Sequence, residues 1–69
     1  MERTAVSSSN LAAVGYDFDS EILEVEFNSG GVYEYYNVPG YVFQELMRAD
    51  SLGIYLNQNI KGTYQYSRI

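Results

Sequence analysis

The sequence predicts an α+β domain: an antiparallel β-meander, two short helices packed on the sheet, and a C-terminal strand. Three observations carry this. Apolar and polar residues alternate with period two as far as Val38, apolar spacing changes to three and four residues after Pro39, and alternation returns from Thr63. An order of strands, then helices, then a strand indicates helices laid on one face of an antiparallel sheet.

The first strand is marked by Val14, Tyr16 and Phe18, which share one parity, and Asp19-Ser20 provide a turn. Leu23, Val25 and Phe27 then alternate with Glu24 and Glu26, as in a strand with one face in the core and one in water. Asn28-Ser29-Gly30-Gly31 supply glycines able to take positive φ, so the chain should reverse directly into a strand from Val32 to Val38. Pro39 is a favoured first helical residue, with Asn37 or Val38 near the cap, and Val42, Phe43, Leu46, Met47 and Ala49 fall on one helical stripe. Ser51 can cap a second helix whose apolar residues are Leu52, Tyr55, Leu56 and Ile60, and Gly62 is placed to end it. Thr63 to Ile69 should pair with a free sheet edge. Gly53 should let the second helix approach the sheet closely, and the Asn57 amide should tie that helix to the backbone of a neighbouring strand.

A chain of 69 residues with 46% hydrophobic content suits a single domain spanning residues 1–69, burying about 60% of the surface that the unfolded chain exposes. Cysteine and histidine are both missing, which excludes disulfides, thiolate zinc sites, imidazole acid–base chemistry and Ser/His or Cys/His nucleophile pairs. The N-terminal residues do not resemble a secretory signal, and no apolar run approaches the roughly 20 residues needed to span a bilayer. The expectation is a soluble cytoplasmic protein with no cofactor, no metal and no membrane partner. Nine acidic residues against four basic ones give a net charge of -5, which repels phosphate backbones at long range unless the few cations cluster.

The residues most suggestive of function are the pairs Tyr33-Glu34-Tyr35 and Tyr64-Gln65-Tyr66, because a period of two aims both rings of a pair at one sheet face. Tyr33, Tyr35, Tyr64 and Tyr66 could form a platform on which bases stack, each worth on the order of 1–3 kcal/mol. More commonly, such amphipathic aromatics fill a sheet face or pack under a helix with their hydroxyls reaching solvent. Hairpin register decides whether Tyr33 and Tyr35 share the face of Leu23, Val25 and Phe27, and one residue of slip inverts the answer. Lys61 and Arg68, with Arg48 at the end of the first helix, could rim the platform and contact phosphate, although the helix dipole alone accounts for cations at Arg48 and Lys61. Asp17, Asp19 and Glu21 fit a solvated acidic turn better than a calcium loop, Glu24 and Glu26 the wet side of a strand, and Ser7, Ser8 and Ser9 a strand end whose hydroxyls satisfy backbone groups.

Several landmarks together resemble the KTSC domain family: Val6-Ser7-Ser8-Ser9, Val14-Gly15-Tyr16-Asp17, Leu23-x-Val25-x-Phe27, Tyr33-x-Tyr35, Val38-Pro39, Ala49-x-Ser51-x-Gly53, Asn57 and Ile60-Lys61. The match covers nearly the whole chain, with the central Tyr-x-Tyr as the family signature. The resemblance implies a module that stands alone or is appended to the C-terminus of some lysyl-tRNA synthetases, and for which RNA binding has been suggested. The chain departs from the family pattern in having Asn37 where an acidic residue often precedes Val-Pro. Residues and resemblance together lead to a small non-enzymatic binding module whose partner is single-stranded RNA or a tRNA-like element. The alternative is a protein-interaction or homo-oligomerising adaptor using the same tyrosine-bearing surface, which the acidic charge suits. The binding candidates are Tyr33, Tyr35, Tyr64, Tyr66, Lys61 and Arg68, and the structural ones Pro39, Gly53, Asn57 and Gly62. Oligomeric state has no signature in these residues.

Overall fold

A computed structural model describes residues 1–69. Five antiparallel strands form one sheet in chain order: β1 (Thr4–Ala5), β2 (Leu11–Asp17), β3 (Ile22–Phe27), β4 (Val32–Tyr35) and β5 (Tyr66–Arg68). Between β4 and β5 lie α1 (Gly40–Arg48) and α2 (Leu52–Tyr55), the latter running on into a π-helical turn, Leu56–Ile60. The α+β meander with two helices and a closing strand is therefore as expected. The two-residue β1, the β-bulge between Leu11 and Ala13, and the π turn carry no sequence signal of their own.

Register settles the faces. Val14 lies opposite Val25 and Val25 opposite Tyr33, while Tyr16 lies opposite Leu23 and Leu23 opposite Tyr35. Side chains directly across antiparallel strands share a face, so Tyr33 and Tyr35 lie on the side of the buried Leu23 and Val25. The helices close that side: Val42 and Leu46 of α1 and Leu56 and Ile60 of the π turn join Leu11, Val14, Leu23, Val25, Tyr35 and Val38 in one buried cluster. Leu56 and Ile60 are four residues apart, one helical turn, and both point inward.

The strand expected to reach Val38 stops at Tyr35, because Asn37 takes a left-handed conformation (φ 59°) and turns the chain inward. Val38 then drops into the core, its N–H donating to the Glu21 carbonyl (2.9 Å) and its own carbonyl accepting from the Tyr16 hydroxyl. These bonds hold the chain extended through Pro39 (ψ 151°), which consequently caps α1 and is not its first residue. Its carbonyl accepts from the Val42 N–H (3.0 Å), and the helix proper begins at Gly40. Ser51 caps α2 as expected, its Oγ accepting from the Ile54 N–H at 3.2 Å. Gly62 (φ 81°) ends the π turn one residue past Lys61, and Gly30 (φ 104°) allows the β3–β4 reversal. Gly53 is buried, and a Cβ there would meet the Asn10 side chain at 2.7 Å, so its closest approach is to the residue leading into β2.

Two expectations fail, one on the other side of the sheet and one in the π turn. Glu24 is not on a wet face: it is only 6% exposed, because the N-terminal segment folds across it. Arg3 of that segment lies 3.6 Å from the Glu24 carboxylate and 3.7 Å from that of Glu26. Gly15 permits this covering, since a Cβ there would come within 2.7 Å of the Glu2 carbonyl oxygen. Asn57 does not tie the helix to a strand, because the π turn leaves it exposed with no protein hydrogen bond to its carboxamide. Of the three serines, Ser8 behaves as expected, its Oγ accepting from the N–H groups of Asn10 (3.2 Å) and Leu11 (3.3 Å).

Candidate functional site

A cleft opens between the end of the π turn and the strands β4 and β5. It has a volume of about 560 Å3 and is lined by Phe27, Ser29, Tyr33, Tyr35, Lys61, Gly62 and Tyr66. Strand pairing builds its floor: Tyr33 lies opposite Arg68 and Tyr35 opposite Tyr66, so aromatic and cationic side chains of the two strands reach the same side. Phe27, at the end of β3, packs edge-on against Tyr33 with ring centroids 5.6 Å apart. Tyr66 stands 5.8 Å from Tyr33 and 5.7 Å from Tyr35, tilted against both. Aromatic pairs prefer such offset and edge-on arrangements to flat sandwiches.

The cations are seated on these rings. Lys61 Nζ lies 5.1 Å from the Phe27 ring centroid, and the Arg68 guanidinium carbon 5.8 Å from that of Tyr33. Both are within the range in which the negative face of a ring attracts a cation. None of the lining residues is acidic, so two of the chain's four Lys and Arg residues stand beside a surface without carboxylates.

The candidates divide sharply. Tyr33, Tyr35, Tyr66, Lys61 and Arg68 come together, but in different roles. Tyr35 is 3% exposed and belongs to the core, Tyr33 is half-buried, and Tyr66 is 59% exposed and rises over the cleft. Burial pushes the Tyr35 phenol up from its ordinary pKa, and the neighbouring Tyr66 and Tyr33 add to the shift. Tyr64 is not part of this group. The strand expected from Thr63 begins only at Tyr66, because the N–H groups of Thr63 and Tyr64 both return to the Ile60 carbonyl in a turn (3.1 and 3.2 Å). Tyr64 instead packs against the core, its phenol shifted upward by burial and then by Tyr41. Arg48, at the end of α1, does not line the cleft. Phe27 and Ser29 also line the cleft, and the sequence carries no signal for this because their strand and turn roles account for them fully.

Elsewhere the structure offers little chemistry. Asp17 is held below its ordinary pKa by hydrogen bonds from the Asp19 backbone and from Ser20, which accounts for the acidic turn as a structural device. No cluster of three or more acidic side chains could hold a metal ion, and no helix is long and apolar enough to cross a membrane.

These features define a small α+β domain with a helix layer on one sheet face and an aromatic, cation-flanked cleft at the edge of that layer. The KTSC domain profile matches residues 7–66, and the chain belongs to the KTSC domain family. A KTSC domain protein from Yersinia pestis has a crystal structure with a TM-score of 0.96 to this one at 38% identity, covering 99% of this chain and 96% of that one. An uncharacterized protein of Stutzerimonas stutzeri is 51% identical over 70 residues, covering 100% of this chain and 99% of its own length. A lysine–tRNA ligase of Trichormus variabilis is 43% identical over 54 residues, covering 78% of this chain but only 10% of the ligase.

Proposed function

We propose that the domain is a binding module, not an enzyme, and that its cleft takes single-stranded RNA by stacking a base against Tyr66 while Lys61 and Arg68 neutralise adjacent phosphates. The observation supporting this is the conjunction at the cleft: an exposed tyrosine, two cations resting on aromatic faces, and no carboxylate among the lining side chains. The net charge of -5 does not oppose it locally. Glu24 and Glu34 are register partners and side chains alternate along a strand, so both lie on the sheet face opposite the cleft, with Glu26. Charges separated by more than about 8 Å are largely screened at physiological ionic strength. Similarity to a tenth of a lysine–tRNA ligase is consistent with a module attached to a protein that handles RNA.

The test is a titration of labelled single-stranded RNA at several salt concentrations. Two phosphate-contacting cations on a single strand give a log–log salt slope of about -1.4, or about sevenfold weaker binding at 200 mM than at 50 mM salt. Tyr66→Ala should remove about 1–3 kcal/mol of binding. Light scattering in parallel separates the adaptor reading: a dimer with no RNA signal would replace RNA by a second polypeptide at the same tyrosines.

A further inference from the structure

On the far side of Lys61 lies a second hollow of about 450 Å3, which shares Phe27, Ser29 and Lys61 with the aromatic cleft and is otherwise marked by the carboxamides of Asn10, Asn28 and Asn57. We propose that the two hollows are compartments of one site that holds two consecutive nucleotides, with one base stacked at Tyr66, the edge of the next base read by Asn57, and Lys61 at the phosphate between them. This rests on the RNA reading above and gives it a length and a source of base preference.

The amides differ in what they have free. Asn28 donates its amide hydrogen to the Ser8 carbonyl (3.2 Å), which fixes that side chain at the mouth of the β3–β4 turn. Asn10 is seated against Gly53, in space that a Cβ would occupy. Asn57 is exposed, lines the hollow and commits its carboxamide to no protein group, leaving its acceptor and two donors free. A free carboxamide is matched to a base edge that presents a donor beside an acceptor, and unpaired RNA exposes such edges. Stacking on tyrosine is tolerant of sequence, whereas an amide against a base edge is not. The π turn makes this geometry: its wide ring, closed by the Lys61 N–H to the Leu56 carbonyl (2.9 Å), places Asn57 and Lys61 on either side of one turn with Leu56 and Ile60 anchored beneath. Lys61 is a mobile point charge with three donors, suited to a phosphate lying between the compartments.

The experiment compares the four ribonucleoside monophosphates with the four homodinucleotides by NMR titration, on the wild type, Asn57→Ala and Tyr66→Ala. Dinucleotides should bind about tenfold more tightly than mononucleotides, and one base should be preferred about fivefold or more. Asn57→Ala should abolish the preference and leave the denaturant midpoint unchanged. Equal affinity for mono- and dinucleotides, or a preference that survives Asn57→Ala, would overturn the second compartment while the cleft reading stands. Absence of binding by every nucleotide and by longer single strands would overturn both.

Discussion

Tyr35 and Tyr66 are cross-strand neighbours with rings 5.7 Å apart, yet one is sealed in the core and the other stands in water. The contrast predicts a clean split between stability and binding. Truncating a buried aromatic leaves a cavity, so Tyr35→Ala should lower the unfolding free energy by about 3–5 kcal/mol. Tyr66→Ala should cost no more than about 0.5 kcal/mol, as for other exposed positions. Urea midpoints of the two variants measure this, and a comparable loss in both would mean that Tyr66 is part of the core. Binding experiments should therefore use Tyr66, since the Tyr35 truncation disturbs the fold itself. Tyr16 shows a further residue-scale economy: its hydroxyl satisfies the carbonyl of the buried Val38, while its ring stacks on Phe43 with centroids 4.7 Å apart.

Among the elements, α2 is the most dependent on local chemistry. Four α-helical residues cannot sustain a helix alone, since nucleation is costly and pays back only with length or packing. Two things hold it: the Ser51 cap at its start, and the burial of Leu56 and Ile60 through the π turn that follows. Ser51→Ala should remove the cap and destabilise the protein by about 0.5–2 kcal/mol. Hydrogen exchange should show faster amides at Ile54 and Tyr55 with little change in β2 and β3, and an unchanged exchange pattern would argue that packing alone holds the helix. The π turn that continues it carries Asn57 and leads into Lys61 at the candidate site, so its position matters to function as well as to stability.

At the scale of the whole molecule, charge and tyrosine content set the response to pH. Burial raises the phenol pKa of Tyr35 and Tyr16 in the folded state, with neighbouring tyrosines adding to Tyr35 and the Glu21 and Asp17 carboxylates adding to Tyr16. Folding therefore favours the protonated phenols. Their contribution is fully present below the unfolded value of about 10 and is lost as pH rises through the higher folded values. Denaturant midpoints should fall above about pH 10, and Tyr35→Phe should flatten the decline. A profile identical to that of the wild type would remove Tyr35 from the explanation. The acidic surplus leaves the cleft free of carboxylates: Glu24 and Glu26 are engaged by Arg3 behind the sheet, and Asp17 in the β2–β3 turn.

Much of this was legible in the residues. The alternation of Leu23, Val25 and Phe27, the Asn28–Gly31 turn, the Val42 to Met47 stripe and the Ser51 cap each correspond to an observed element, because each is a local preference that the fold does not oppose. Tertiary contacts overrode the pattern elsewhere. Asn37 ends β4 early because Val38 is needed in the core, Tyr64 leaves the strand for a turn, and Glu24 is buried by a segment whose strand is two residues long.

By itself the sequence determined which residues could form strands and helices, and that tyrosines and cations stood at positions able to meet, since periodicity and capping act over a few bonds. Only the tertiary structure decided that Tyr33, Tyr66 and Lys61 share a cleft with Arg68 resting on the Tyr33 ring beside it, that Tyr35 lines it from the core and that Tyr64 stands apart. Those outcomes depend on strand register and on where the helix layer stops, which are set by the packing of residues far apart along the chain.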